Sequence, residues 1–217
     1  MSELLQPAAI PEADRLKRAA ERIRQVMGPA VLDAEIAHGE LTVRAEAQAI
    51  VGLAMFLRDD SVLQMRQLID LCGADYPNRP RRFDVVYHFL SLHQNLRLRV
   101  KTETDEATPV PTLTGVFINA DWYEREAFDM YGIQFADHPD LRRLLTDYNF
   151  TGYPLRKDFP TTGFVELRYD ADEGRVVYEP VKLDQQYRKF DFLSPWEGIP
   201  RELPGDEKAR KGGPISG

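Results

Sequence analysis

Apolar positions in the first half of the chain recur with two different periods, one typical of helices and one typical of strands. Between residues 12 and 27 they recur every three or four positions, and Gly28-Pro29 then ends the pattern. This spacing predicts a first amphipathic helix. Residues 47–57 are uncharged and rich in helix formers, which predicts a second and more buried helix.

Alternating runs between and after these helices predict strands. Residues 30–37 and 40–45 flank a Gly-containing turn and predict a hairpin. Further strands are predicted at residues 67–76, 82–92 and 96–100. The sequence therefore predicts an α+β fold in the order αββαβββ, with two helices packed on one face of a mixed five-stranded sheet.

The second half of the chain has a different character. A polar, Pro-containing connector at residues 102–111 places the predicted domain boundary between 1–107 and 108–217. Residues 115–131 predict helical structure that Gly132 caps, and Pro139 suits the first position of a second short helix.

The segment after this helical part predicts a loop, a hairpin and a tail. The loop covers residues 146–160, and the hairpin pairs 164–169 with 175–178. From residue 179 onward there is little periodicity. We expect an extended tail that lies along another protein, because it keeps four aromatic residues: Tyr187, Phe190, Phe192 and Trp196.

Composition and charge exclude several classes of protein. The 217 residues carry 28 basic and 35 acidic side chains, a net charge of −7, which argues against binding nucleic acid through bulk charge. The single cysteine, Cys72, argues against disulfides and an iron-sulfur cluster, and favours a reducing compartment. The longest uncharged apolar run, 47–57, is too short for a membrane helix, and the N-terminus lacks the features of a secretory signal. We expect a cytoplasmic protein.

Motifs for nucleotide, zinc and serine-hydrolase chemistry are absent from the sequence. Neither glycine-rich phosphate motif occurs, and no G-x-S-x-G elbow is present. The four histidines show no H-x-x-x-H spacing, so we interpret them as ordinary structural residues.

Residues 121–132 form the densest group of aromatic and charged side chains. Glu124 lies within the apolar arc of the predicted helix, so we expect it to pair with one of the later arginines. Arg125 lies outside that arc, four residues from both Asp121 and Asp129, which predicts a ladder of surface ion pairs.

These carboxylates raise the alternative of an acid/base hydrolase that uses Glu124 and Glu126. The two side chains point about 200° apart on a helix, so they cannot act on one substrate bond. We favour neutralisation of Glu124, Glu126 and Asp129 by nearby bases, which are Arg125, Arg142, Arg143, Arg156 and Lys157.

Two basic segments follow this helix, at residues 138–145 and 152–160. The second must be extended at two positions that precede proline, which suits a rigid docking surface. Ordinary solvated charge is an equal alternative. A third alternative is an RNA-binding module, in which Arg142-Arg143 and Arg156-Lys157 contact phosphates and three aromatic residues stack on bases: Tyr148, Phe150 and Tyr153.

Three linked segments in this region resemble one protein family. They are the string E-R-E-A-F-D-M-Y-G-I at 124–133, H-P-x-L-R-R at 138–143, and G-x-P-L-R-K-D-F-P at 152–160. Together they are similar to the 30 kDa subunit of respiratory complex I, which is the C subunit of the bacterial NADH-quinone oxidoreductase. The likeness continues through 163–166, 176–180 and 190–198. The chain departs from the family at Tyr153, where histidine is common. A role of that histidine therefore cannot be assigned to this position.

The resemblance implies a subunit of the hydrophilic arm of complex I. Such a subunit binds no flavin, iron-sulfur cluster or quinone; FMN, the clusters and ubiquinone lie in partner subunits. It packs on the D subunit of the complex and near the B subunit, which holds the terminal cluster. The complete enzyme passes electrons from NADH to ubiquinone and couples this transfer to proton translocation. The expected location is peripheral, on the cytoplasmic side of the bacterial inner membrane.

The expected role is structural, and we expect no catalytic, cofactor-binding or metal-binding residue on this chain. The charges and special backbone positions of the three segments are expected to act as interface and scaffold residues: Glu124, Arg125, Glu126, Asp129, Gly132, His138, Pro139, Arg142, Arg143, Pro154, Arg156, Lys157 and Asp158. An equivalent subunit of a membrane-bound hydrogenase or a chloroplast-type dehydrogenase is the alternative within the same superfamily.

Overall fold

The first part of the chain folds in the predicted order of elements. The structure is a computed structural model that describes residues 12–183. The elements are α1 (Glu12–Met27), β1 (Val31–Ala37), β2 (Glu40–Ala45), α2 (Ile50–Asp59), β3 (Gln67–Asp75), β4 (Phe83–Ser91) and β5 (Leu96–Thr104). The predicted αββαβββ order is confirmed, although β5 continues beyond its predicted end at Val100.

The five strands form one sheet in the spatial order β1-β2-β5-β4-β3. Strands β2 and β5 run parallel, and the other three neighbouring pairs run antiparallel. The sheet is therefore mixed, as predicted.

Side-chain alternation along the central strands decides which face of the sheet is covered. In β4, Phe83, Tyr87 and Phe89 point to one face and are fully buried, and they share a hydrophobic core with Ile23 of α1 and Ile50 of α2. The opposite face carries polar residues and the exposed Cys72. Both helices thus cover the same face of the sheet, which confirms the predicted α+β fold.

After the sheet, the described part of the chain contains one further helix and four short strands. The elements are β6 (Val110–Pro111), α3 (Ala120–Tyr131), β7 (Phe135–Ala136), β8 (Val165–Asp170) and β9 (Arg175–Pro180). Gly132 caps α3 with a φ of 78°, as predicted. The short parallel pairing of β6 with β7 was not predicted, and the hairpin of β8 and β9 was.

The chain divides into two compact units, Met1–Gly163 and Phe164–Gly217. The boundary predicted at 107/108 falls inside the first unit, because α3 packs against β3. The aromatic residues of the predicted tail, from Tyr187 to Trp196, lie outside the described residues, as do residues 1–11. Within residues 12–183, no helix has the length and apolar character needed to span a membrane.

Candidate functional site

Helix α3 lies along β3, the edge strand of the sheet. The Asn119 side-chain amide just before the helix donates to the carbonyl of Leu68 at 2.7 Å, and the Tyr123 hydroxyl donates to the carbonyl of Ile69 at 2.9 Å. Unpaired carbonyls on an edge strand are sites for unwanted strand pairing. The side chains of Asn119 and Tyr123 therefore hold α3 against β3 and occupy carbonyls that a strand of another molecule could otherwise bind.

Glu124 is fully buried and binds the segment that precedes α3. Its Oε1 accepts the N–H of Leu113 at 2.7 Å, and its Oε2 accepts the hydroxyl of Thr112 at 2.5 Å. The prediction that Glu124 pairs with an arginine is wrong, since the ionisable side chain found within 4 Å of it among the described residues is the His138 imidazole, whose Nε2 lies 3.9 Å from Glu124 Oε2. Burial raises the pKa of Glu124 to about 7, although both hydrogen bonds oppose the rise.

Arg125 does not form the predicted surface ion pairs. Its guanidinium is largely buried and donates to the backbone carbonyls of Arg142 and Arg143, at 3.3 and 3.4 Å. Asp121 and Asp129, the expected partners, make other contacts. Arg125 therefore holds the backbone of the following loop against α3.

Asp129 is fully buried and binds a turn of that loop through five hydrogen bonds. It accepts the backbone N–H groups of Leu144, Leu145 and Thr146 at 2.7 to 3.0 Å. It also accepts the Thr146 hydroxyl at 2.6 Å and the Arg143 guanidinium at 2.9 Å. Burial opposes ionisation, but these donors prevail and hold the pKa of Asp129 at about 2.

The same contacts explain why no helix begins at Pro139, where one was predicted. A helix would pair the N–H groups of 144–146 with carbonyls four residues earlier. Asp129 binds those N–H groups instead, and Arg125 binds two carbonyls of the loop. Residues 138–146 therefore follow an irregular path along α3.

The C-terminal end of α3 is closed by the second basic segment. The Arg156 Nε donates to the carbonyl of Tyr131 at 2.6 Å, and the N–H of Leu155 donates to the carbonyl of Met130 at 3.1 Å. The last carbonyls of a helix have no partner within it, so these bonds satisfy groups that would otherwise be unpaired. The Arg156 guanidinium also lies over the Tyr153 ring, 4.3 Å from its centroid.

One buried carboxylate, Asp75 at the end of β3, fixes the remainder of this segment. Arg82 binds it with two nitrogens, at 2.6 and 2.8 Å, and the N–H of Lys157 donates to it at 2.7 Å. The hydrogen bond from Arg82 is the main cause of the lowered pKa of Asp75. Arg82 also pairs with Asp158 at 3.1 Å. The sequence analysis did not identify Asp75 and Arg82. Their opposite charges stand on either side of a predicted turn between two strands, and this placement could have indicated the ion pair.

The thirteen predicted scaffold residues fall into two groups. Eight are buried or partly buried where α3 meets the loops: Glu124, Arg125, Asp129, Gly132, His138, Arg143, Pro154 and Arg156. Five are exposed: Glu126, Pro139, Arg142, Lys157 and Asp158. Among the described residues, no group of three or more potential metal ligands could hold an ion. The arrangement is suited to positioning loops.

The chain matches the model of one protein family over residues 43–165, which contain α3 and both basic segments. That family is described as the 30 Kd subunit of the respiratory-chain NADH dehydrogenase. The chain belongs to this family. The assignment confirms the resemblance found in the sequence.

Relatives of the same family match nearly the whole chain. The C subunit of the NADH-quinone oxidoreductase of Methylorubrum populi is 62% identical over 201 residues, 93% of this chain and 92% of the relative. The corresponding C 1 subunit of Rhizobium meliloti is 61% identical over 198 residues, 91% of this chain and 98% of the relative.

A solved structure supports the fold alone. A chain of an archaeal membrane-bound sulfane sulfur reductase, a respiratory membrane complex, matches with a TM-score of 0.57 and 21% identity. The match covers 66% of this chain and 85% of that chain.

Proposed function

We propose that this chain is a structural and assembly subunit in the peripheral arm of a proton-translocating NADH-quinone oxidoreductase, and that it binds no cofactor itself. Flavin, iron-sulfur clusters and quinone belong to partner subunits in this proposal. The observation that supports this proposal is that charged residues of the family segments bind other parts of the same chain. Asp129, Arg143 and Arg156 bind loops of this chain, so their charges fix the shape of a surface.

Large apolar side chains on and near α3 support a docking role for that surface. Ile118 is 89% exposed, Trp122 is 66% exposed, and Tyr148 in the adjacent loop is 91% exposed. Trp122 and the exposed Glu126 are four residues apart on α3, which places them on one side of the helix, and Ile118 lies in the turn just before it. Apolar groups held outward on a rigid frame are suited to contact another protein.

The proposed partners are the D subunit of the complex and the B subunit that holds the terminal cluster. As a member of this family, the chain is a subunit of a respiratory complex and contacts other subunits. We propose that the D and B subunits are its direct neighbours. The proposed location is the cytoplasmic side of the bacterial inner membrane, reached through the complex.

The rival functions have less support. An RNA-binding module needs free guanidinium groups and bare aromatic rings, whereas Arg143 and Arg156 are bonded within the chain and Tyr153 lies under Arg156. A hydrolase needs accessible carboxylates, whereas Glu124 is fully buried. The equivalent subunit of a related complex is disfavoured by 62% identity to a C subunit of NADH-quinone oxidoreductase.

Replacement of exposed residues in the complete enzyme tests the proposal. We expect Glu126→Ala and Arg142→Ala to lower the amount of assembled complex in membranes and its NADH-quinone activity in equal proportion. Lys17→Ala, at an exposed position of α1, is the control and should change neither. The assembled amount is measured by affinity purification with identification of co-eluting chains, where the D and B subunits are expected. Full assembly with slow turnover in either variant would contradict a structural role.

A further inference from the structure

Two threonine hydroxyls connect the protein surface with the buried Glu124 carboxyl. Thr112 Oγ1 lies 2.5 Å from Glu124 Oε2 and 3.0 Å from Thr114 Oγ1. Both threonines are partly exposed, whereas Glu124 is fully buried. A hydroxyl has one hydrogen, so Thr112 donates to only one of these two neighbours at a time. The geometry therefore allows two hydrogen-bond patterns with the same heavy-atom positions.

His138 is the ionisable neighbour of Glu124 from another segment, and its Nε2 lies 3.9 Å from Glu124 Oε2. The same nitrogen lies closer to two oxygens of Asp121, 3.2 Å from its carbonyl and 3.4 Å from its Oδ1. The N–H of Asp140 donates to the other ring nitrogen, Nδ1, at 3.1 Å. The contacts of His138 are therefore directed mainly to Asp121 and Asp140, and its contact with Glu124 is longer than a hydrogen bond.

The other groups that face Glu124 also leave its charge unbalanced. Asp121, on the same helix, carries a negative charge that disfavours a second one nearby. Tyr87 of β4 lies within electrostatic range, and its hydroxyl is buried without a hydrogen bond of normal geometry. No Lys or Arg of the described part pairs with Glu124. A buried carboxylate without a cation favours its protonated form.

We propose that Glu124 is a buried proton-binding site that exchanges its proton with solvent through Thr112 and Thr114. In the ionised state, Thr112 donates to the Glu124 carboxylate. When one proton is taken up from solvent, the new O–H of Glu124 donates to Thr112 Oγ1, and Thr112 donates to Thr114. The N–H of Leu113 stays bonded to the other carboxyl oxygen in both states. The net change is one proton bound and one negative charge neutralised, which goes beyond the structural function proposed above.

Infrared spectroscopy of the purified full chain, titrated from pH 5 to pH 9, tests the site. The carbonyl band of a protonated buried carboxyl should disappear with a midpoint near pH 7 in the wild type and in Glu126→Gln, an exposed control. The band should be absent from Glu124→Gln. A wild type that lacks this band at pH 5, or a band that persists in Glu124→Gln, would overturn the proposal.

Thr112→Val tests the path by which the proton exchanges with solvent. It also provides a second test of the proposal if Glu124→Gln does not fold. Loss of the hydroxyl removes a donor to the ionised carboxylate, so the midpoint should rise by about one pH unit. Deuterium exchange at the protonated carboxyl should also slow relative to the wild type. An unchanged midpoint and exchange rate would show that Thr112 does not serve Glu124.

Discussion

The Arg143 guanidinium bonds to the Asp129 carboxylate at 2.9 Å and joins α3 to both of the loops that pack on it. Its Nη1 also donates to the Thr146 hydroxyl at 3.1 Å, and its Nη2 donates to the carbonyl of Gly152 at 3.1 Å. One arginine therefore connects the helix with residues 144–146 and with the start of the second basic segment. Loss of either partner leaves buried polar groups without bonds.

Asp129→Asn should destabilise the chain strongly. The amide keeps one acceptor oxygen but removes the charge that balances Arg143 and strengthens the bonds to three backbone N–H groups. Breaking one side of a buried ion pair costs about 3 to 5 kcal/mol. Urea unfolding measures the change, and Glu126→Gln on the exposed side of the same helix should stay within about 0.5 kcal/mol of the wild type. A small effect of Asp129→Asn would mean that the loop holds its position without this charge.

Asp129 should also give the chain a defined loss of stability in acid. Its pKa in the folded state is about 2, below the ordinary value of 3.8, so the folded state binds this proton less readily than the unfolded state. The stabilisation is fully present above the ordinary pKa and is lost as the pH falls towards 2. The difference in unfolding free energy between the wild type and Asp129→Asn should therefore shrink between pH 4 and pH 2. A difference that stays constant over that interval would contradict the lowered pKa.

The elements of the sheet were predictable because local patterns determine them. In β4 the large residues Phe83, Tyr87 and Phe89 occupy alternate positions, opposite in orientation to Asp84, and this spacing indicates which side of the strand faces the core. The spacing before Gly28-Pro29 likewise predicted α1 with the bounds that the structure shows. The cap at Gly132 followed from the residue type.

The partners of the buried charges were not predictable, because they lie on distant parts of the chain. Glu124 binds Thr112 and Leu113 only because β6 and β7 pair and bring that segment over α3. Helical spacing suggested Asp129 as a partner for Arg125, but Asp129 already binds Arg143 and a whole turn of backbone. Sequence spacing describes neighbours on one helix and contains no information about backbone donors from another segment.

Gly132→Ala should displace the second basic segment. A Cβ at this position would lie 2.6 Å from Arg156 Nη2 and 2.7 Å from Tyr153 Cζ, in addition to the strain of a φ of 78°. Gly39, in the turn between β1 and β2, has the same φ with nothing within 4 Å, so Gly39→Ala measures the backbone strain alone, about 1 to 2 kcal/mol. Gly132→Ala should lose more unfolding free energy than Gly39→Ala, and the difference measures the cost of displacing Arg156 and Tyr153. Equal losses in the two variants would show that Arg156 and Tyr153 move aside freely.

Gly73→Ala should separate α3 from the edge of the sheet. The Tyr131 ring lies over the Gly73 backbone, and a Cβ there would approach its Cδ2 to 2.6 Å. Overpacking of this kind costs about 1 to 3 kcal/mol of unfolding free energy. The control is Gly52→Ala within α2, where a Cβ meets nothing within 4 Å and alanine should stabilise the helix by about 1 kcal/mol.

A second change identifies Tyr131 as the obstacle to a side chain at Gly73. In a Tyr131→Leu background the ring is absent, so adding Gly73→Ala should cost less than it does in the wild type, and urea unfolding of the four chains gives the coupling between the two positions. The exposed hydrogen-bonding groups of β3 provide an independent readout, because Tyr123 shields the carbonyl of Ile69 only while α3 keeps its place. Aggregation through the edge strand should therefore increase in Gly73→Ala and fall again in the double variant. Additive unfolding energies would show that the close approach of Tyr131 does not set the position of α3.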